Sequence, residues 1–398
     1  MNAARARALL FELYDEAASL AGRYPRFVTR DVDRLPPGEV PVFTFHTIEP
    51  EPFEAQLAHL ARNGYRTVDS EALLRHLTGA EALPPRSVML TIDDGRKSVW
   101  TFGFPLLRRY GFKATVFLIP GYAREAEETG PTLADAWEGR VPARSLRVED
   151  PQLMSWAEIR AMDAAGVADF QSHTLYHHRV PVSGRVTGFL GPQPREAFFD
   201  LPVPAGTEAR LLADGPQALL GLPIFETAPV SHGRPRHHPP EGLVEECLAG
   251  VRAAGGVELF ARPDAAAVLR RIFGEAVQRH GPGLRETHEE AEAALRRDLE
   301  RSRLIIEEKL GGRPCRHLCY PYHAGSAVAD RLAREAGYRS AFWGPLRHRA
   351  MPRAGTDPMR IPRVKNDYLH RLPGEGRRPL AAILGDKLRR RHRGGAVY

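Results

Sequence analysis

Seven short apolar runs punctuate the chain, around residues 40–46, 86–93, 113–119, 167–172, 316–321, 338–343 and 359–364. Each has the length and β-branched or aromatic content of a buried strand. Between most of them apolar residues recur at helical spacing, over 52–63, 70–77, 100–110, 155–165 and 326–336. Strands alternating with helices predict a parallel sheet, and seven such repeats can close into a barrel. The longest helical pattern, 287–310, opens on a Thr287-x-x-Glu290 capping box and stops at Gly311-Gly312. Its apolar face runs Ala291, Leu295, Leu299, Ile306 and Leu310, as a core-packing helix requires.

The alternation breaks between residues 179 and 284, where Pro- and Gly-rich stretches such as Gly191-Pro192-Gln193-Pro194 intervene. Two helical patterns, 241–254 and 263–280, make this segment more than a structureless loop. It reads as an insertion that leaves from the rim of the barrel, serving either as a lid or wall of a substrate cleft or as a peripheral oligomer contact. The expected organisation is a helical extension over 1–37, a barrel from 38–178 and 285–375, the insertion over 179–284 and a basic tail over 376–398.

Two of the strand-like runs end in chemistry. The run Ser87-Val88-Met89-Leu90-Thr91-Ile92 opens into Asp93-Asp94-Gly95, and the run before Ser172 opens into His173-Thr174-Leu175-Tyr176-His177. Adjacent side chains on extended backbone diverge, so one carboxylate can bind a metal while its neighbour stays free as a base. Two histidines four apart reach the same ion if that turn is helical. One carboxylate with two imidazoles leaves coordination positions for water and substrate, as a catalytic metal needs. Singly, each piece has a plainer reading, since Asp-Asp-Gly is common in turns and H-x-x-x-H in surface or core histidines. Their joint placement after strand-like runs favours the site.

With these motifs and Cys319-Tyr320-Pro321-Tyr322 in order, the chain resembles the polysaccharide deacetylases of carbohydrate esterase family 4, in a Y-P-Y-type branch with a large insertion. Those enzymes carry a T-x-D-D-G motif, an H-[ST]-x-x-x-H pair and a later R-x-P-Y or Y-P-Y motif. The resemblance covers roughly residues 38–178 and 285–365, and it implies a distorted seven-stranded (β/α) barrel. It further implies Asp93 as general base, Asp94, His173 and His177 as ligands of a divalent ion, most plausibly zinc, and the Tyr322 amide at the oxyanion. The substrate implied is an acetylated amino sugar.

Some positions depart from the family. Cys319 stands where many members place the arginine that orients the base, and Arg360, in the strand-like Met359-Arg360-Ile361-Pro362, is the candidate replacement. His323 follows Tyr322 where relatives of this branch usually have glycine. Leu369-His370 is a poor copy of the leucine-x-histidine motif that supplies the general acid. His46, ending the first predicted strand, reaches the same rim and suits that task near neutral pH, a satisfied structural histidine being the other reading. The rival functions are an amide hydrolase of ureide or imide type and a non-catalytic carbohydrate-binding relative, the latter motivated by Cys319 and the missing acid.

Composition adds limits. A hydrophobic fraction of 43% over 398 residues is ample for a large core. Cys247, Cys315 and Cys319 are too few for a disulfide framework and read as buried strand thiols. Acids interrupt the first residues before any long apolar core forms, so no secretory signal is expected and the expected compartment is the cytoplasm. The net charge of +7 is concentrated partly in Lys387-Leu388-Arg389-Arg390-Arg391-His392-Arg393. Such a run can sit peripherally on the anionic inner membrane surface, against the alternative of a solvated, frayed tail. No aromatic residues interleave with it, and no specific nucleic-acid partner is expected.

Overall fold

The structure, a computed structural model, describes residues 14, 16–148, 152–192, 197–201, 207–346 and 351–392. Twelve strands occur among them: β1 (Val42–Phe45), β2 (Arg66–Thr67), β3 (Ser87–Ile92), β4 (Ala114–Leu118), β5 (Ala168–Ser172), β6 (Arg179–Phe189), β7 (Pro223–Pro229), β8 (His237–His238), β9 (Leu284–Arg285), β10 (His317–Cys319), β11 (Ser340–Phe342) and β12 (Val364–Lys365). The main sheet runs β11-β10-β5-β4-β3-β1-β12, with β2 added beside β3, and its pairings are parallel. Its two ends meet at one isolated parallel bridge, Phe342 to Ile361, just before β12. This is the distorted seven-stranded (β/α) barrel expected from the alternation.

Every residue of β3 and β4 is buried, because helices cover the outer face while Met89, Phe117, Cys319 and Phe342 fill the interior. The helices stand where the periodicity placed them. Pro50–Arg62, Ser70–Leu77, Trp156–Ala164, His288–Lys309 and Ala327–Glu335 each start at a predicted boundary or within two residues of it. Capping explains several starts: Asp69 Oδ1 accepts from the Ala72 amide at 2.8 Å, and Ser155 and Thr287 close full capping boxes with Glu158 and Glu290.

Three local expectations are corrected. The segment 100–110 begins as a π-turn, Val99–Gly103, before the α-helix Phe104–Tyr110, because Pro105 has no amide to give to the preceding turn. The last strand is shorter and later than 359–364. Pro358–Arg360 forms a 3-10 turn capped by Asp357 Oδ1 on the Met359 amide at 3.0 Å, and only Ile361 and then β12 pair with the sheet. Prolines at 358 and 362 cannot donate to a ladder. Among the cysteines, all three buried and free, Cys247 lies on the helix Glu241–Ala253 and not on a strand.

Residues 179–284 hold more order than their composition suggested. β6 and β7 form an antiparallel hairpin with register shifts between Pro181 and Gly188, where proline and glycine break the alternation that would have revealed it. The helices Glu241–Ala253 and Ala265–His280 pack on each other around Leu243, Cys247, Val251, Leu269, Ile272 and Ala276. The segment is tied to the barrel rim at Ser231, whose hydroxyl donates to the Ala324 carbonyl and whose carbonyl accepts from Ser326 Oγ at 3.0 Å.

The basic C-terminal segment is not a frayed tail over its described part. Leu380–His392 is a helix folded back on the protein, with Lys387 buried. Lys387 Nζ lies 3.0 Å from Glu16 Oε1 and 3.1 Å from Asp367 Oδ2, while Arg390 pairs with Asp367 and Arg389 with Asp386. These internal pairs consume much of the charge that a membrane surface would have to attract. The side chains of Arg391 and His392, the residues 393–398, and residues 1–13 and 15 of the expected N-terminal helix lie outside the described set. Among the described residues no helix is long and apolar enough to cross a membrane.

Candidate active site

The site forms where β3 and β5 end. The Asp93 amide still donates to the Phe45 carbonyl of β1 at 2.9 Å, and the chain then turns sharply through Asp94 (φ 72°) and Gly95 (φ 75°). A Cβ on Gly95 would stand 2.8 Å from Leu118 Cδ2, so only glycine fits the turn. The two carboxylates accordingly part company.

The histidine loop is not helical, the condition under which the spacing alone would bring the two rings together. His173 and His177 are brought together, with ring centroids 4.8 Å apart, by left-handed backbone at Thr174 (φ 66°) and His177 (φ 60°). Its turns are held by Ser172 Oγ on the Thr174 amide at 3.2 Å and Thr174 Oγ1 on the His177 amide at 3.3 Å. Tyr322 and His323 are left-handed as well, at φ 56° each. Five of the six described non-glycine residues with positive φ therefore surround one point. At roughly 1–3 kcal/mol apiece, such strain persists where packing over-determines it, commonly at functional sites.

Asp94, His173 and His177 are buried, and their ligand atoms all lie within 4.8 Å of one another. Asp94 Oδ1 stands 3.7 Å from His173 Nε2 and 3.8 Å from His177 Nε2. His173 donates from Nδ1 to the Cys319 carbonyl, 2.8 Å away, which leaves the Nε2 lone pair facing the carboxylate. His177 Nδ1 lies 2.9 Å from Asp200 Oδ1, off the line of a straight hydrogen bond. Burial lowers the His173 pKa to about 4 against the pull of Asp93 and Asp94. Burial alone would raise Asp94, but Arg96, whose Nε is 2.7 Å from Asp94 Oδ2, and the nearby histidines bring it to about 2. A neutral imidazole and an ionised carboxylate are the ligating forms, so these residues fit a divalent ion.

Asp93 is arranged differently. Arg363 grips it with two parallel bonds, Nη1 to Oδ1 at 2.7 Å and Nη2 to Oδ2 at 2.8 Å. The guanidinium is itself buried and fixed by the Trp343 carbonyl at 3.0 Å and Thr91 Oγ1 at 3.2 Å. Burial pushes the Asp93 carboxyl up, but Arg363 and the adjacent histidines hold it well below the usual carboxylate range. Oδ2 is the oxygen nearest the other site groups, 3.8 Å from His46 Nε2, 3.9 Å from His173 Nε2 and 3.6 Å from the Cys319 thiol.

Arg360, the expected partner of Asp93, is elsewhere. Its guanidinium lies 2.9 Å from Asp330 Oδ2 and 4.7 Å over the Trp343 ring, and nearly half of its side chain is exposed. Placing the last strand too early put the wrong arginine at the rim. The available signal was Pro362-Arg363-Val364, a charge set between apolar neighbours at the end of a buried strand. His46 is at the site, and burial lowers its pKa although both aspartates pull the other way. His370 is not: it packs 5.4 Å from the His59 ring. Tyr322 is beside the cluster, its hydroxyl donating to Asp200 Oδ1 at 2.9 Å and to the His177 carbonyl at 3.2 Å. His323 places Nδ1 3.2 Å from Arg363 Nη2 and its ring 6.4 Å from that of His46. Arg363, Asp200 and Arg96 are the site residues that motif reading missed.

Residues 80–188, which contain both aspartates and both histidines, match the family model for polysaccharide deacetylase. Over that stretch the chain is similar to polysaccharide deacetylases. The candidate polysaccharide deacetylase YxkH of Bacillus subtilis strain 168 is 31% identical over 91 residues, 21% of this chain and 33% of that one. The poly-beta-1,6-N-acetyl-D-glucosamine N-deacetylase of Escherichia coli strain K12 is 26% identical over 148 residues, 37% of this chain and 20% of that one. The matched stretches thus span a third or less of these curated relatives. Among solved structures, a de-N-acetylase from Aggregatibacter actinomycetemcomitans superposes with a TM-score of 0.51 at 15% identity, over 87% of this chain and 99% of that one, a likeness of fold. The deacetylase match stops short of His46, Tyr322 and Arg363, which reach the candidate metal cluster because β1, β10 and β12 pair with β3, β5 and β1 in the sheet.

Proposed function

We propose that the protein is a metal-dependent hydrolase that removes the N-acetyl group from an amino sugar in a polysaccharide, glycolipid or precursor, releasing acetate and leaving an amine. The observation that carries this reading is the pairing of a buried, arginine-held Asp93 with the Asp94, His173 and His177 cluster at one rim. The similarity to an enzyme named for poly-beta-1,6-N-acetyl-D-glucosamine supports the substrate class.

One carboxylate and two imidazoles suit zinc. When bound there, a divalent ion supplies Lewis acidity toward the acyl oxygen and acidifies a water. Asp93 takes the proton of the attacking water through its inward oxygen, Oδ2. Arg363 aims that carboxylate and keeps it ionised. Water adds to the acyl carbon, the C–N bond breaks, and the departing nitrogen needs a proton. His46, 3.8 Å from Asp93 Oδ2, relays to that nitrogen the proton that Asp93 took from the water. The Tyr322 amide, on its left-handed turn, is the assigned donor to the acyl oxygen. The reading as a disabled binding protein loses one of its two motives, because Arg363 supplies the partner that Cys319 does not.

Acetate release from poly-beta-1,6-N-acetyl-D-glucosamine oligomers and a panel of acetamido sugars, with zinc, cobalt or nickel restored to chelator-treated protein, tests the proposal. Metal-dependent release abolished by Asp93→Asn is expected. Release of ammonia or ring-opened product from ureides, with none of acetate from any sugar, would favour the alternative amide substrates.

A further inference from the structure

Asp200 belongs to the inserted segment, yet its carboxylate stands between two parts of the catalytic rim. Oδ1 lies 2.9 Å from His177 Nδ1 and accepts from the Tyr322 hydroxyl at 2.9 Å, and the side chain is only 13% exposed. Its neighbours on the short turn Phe198–Asp200 reinforce the placement. The Phe199 ring meets the His177 ring edge-on at 5.7 Å and underlies the Arg96 guanidinium at 5.3 Å, the same guanidinium that holds Asp94 Oδ2. Phe198 packs edge-on against Tyr122 at 5.1 Å, anchoring the turn to the barrel side of the rim. Two consecutive residues of the insertion, Phe199 and Asp200, thus touch one metal-binding histidine, the arginine of the metal-binding aspartate and the tyrosine of the oxyanion turn.

We propose that Asp200 is a positioning residue of the metal centre: it accepts a hydrogen bond from the Nδ1–H of His177 and ties down Tyr322, so that the insertion completes a centre the barrel alone leaves unfinished. The inference rests on the reading of Asp94, His173 and His177 as metal ligands. An imidazole whose far nitrogen is held by a carboxylate is fixed in one tautomer and one orientation and becomes a more basic ligand. His173 has a backbone carbonyl in that role, fixed by β10, whereas the partner of His177 is a side chain from another part of the chain. Tyr322 shares the same oxygen, so metal binding and the oxyanion turn are coupled through one carboxylate. Removing the insertion should therefore weaken the metal centre as well as the substrate cleft.

The test uses the full chain, wild type and Asp200→Asn, Asp200→Glu and Tyr322→Phe variants, loaded with cobalt. Affinity is read by competition with a chromophoric chelator, ligand geometry by the visible cobalt spectrum, and folding by the thermal midpoint of the metal-free protein. Asp200→Asn is expected to weaken cobalt binding by about 10–100-fold and alter the spectrum, with the metal-free midpoint held within a few degrees. Asp200→Glu, which keeps the charge, should recover part of the affinity, and Tyr322→Phe should lose less than Asp200→Asn. Wild-type affinity and spectrum in Asp200→Asn overturn the proposal. So does a loss of affinity that comes only with a fall in the metal-free midpoint and that Asp200→Glu does not relieve. A wild-type protein that binds cobalt yet deacetylates no substrate would sink the deacetylase reading alone, since the affinity series needs no turnover.

Discussion

Replacing Arg363 with methionine removes one half of a buried, two-bond ion pair and leaves Asp93 where water cannot solvate it. An opposite charge at this range lowers a carboxylate pKa by about 1–3 units, and its loss lets burial act unopposed, so the Asp93 pKa should rise by about that much. At 1.36 kcal/mol per unit this is about 1.4–4 kcal/mol, in line with the roughly 3–5 kcal/mol found when one partner of a buried pair is removed. The sign with pH follows. In the wild type the Asp93 pKa is depressed, so its ionisation contributes stability above about pH 4, lost only as pH falls through the lower folded value. In Arg363→Met the folded pKa moves back up towards the ordinary value, so the deficit is full above about pH 4 and shrinks as acid protonates the carboxyl. Urea unfolding at about pH 7 and about pH 3 should show the larger deficit at pH 7. Acetate release should fall by two or more orders of magnitude, with the acid limb of its pH profile shifted upward and bound metal retained. Arg363→Lys keeps the charge without the fork and should recover part of the stability but little of the rate. The reasoning fails if Arg363→Met is active with an unmoved acid limb, or if Arg360→Met is the variant that loses activity.

Asp93→Asn should keep its metal and lose turnover by roughly two or more orders of magnitude, whereas Asp94→Asn should lose metal; equal metal in both variants with only Asp94→Asn inactive would reverse the roles. His173→Ala and His177→Ala should each lose most bound metal by elemental analysis, and full occupancy in either removes that histidine from the ligand set. His46→Phe should retain metal and cut kcat by about 10²–10⁴-fold, and an undiminished kcat would return His46 to a structural role. Lys387→Met leaves the buried Glu16 to Lys365 and Tyr368 and Asp367 to Arg390, and should cost about 1–3 kcal/mol in urea unfolding at neutral pH. Burial raises the Glu16 pKa but its lysine partners lower it further, so in the wild type this contribution persists at neutral pH and is lost in acid. A change below 1 kcal/mol would mean that the C-terminal helix does not depend on this contact.

The alternation of apolar runs and helical patterns determined the barrel, because strand and helix periods of 2 and 3.6 are local and the helix starts are signalled within four residues by caps such as Ser155-x-x-Glu158. The same local information placed Asp93, Asp94, His173 and His177, each pair lying just past the end of a strand. What neighbouring residues could not decide was how the loops fold and what reaches them from afar. His173 and His177 converge through left-handed backbone imposed by packing, where spacing alone would have needed a helix. Arg363 meets Asp93 across 270 positions of sequence, and only after a proline-flanked turn starts the last strand at Val364 and not at 359 as its apolar pattern implied. Asp200 reaches His177 from a segment whose prolines and glycines hide its own hairpin. Periodicity reports which face of an element is buried; which charge lies opposite which is set by the closure of the barrel and the docking of the insertion on its rim.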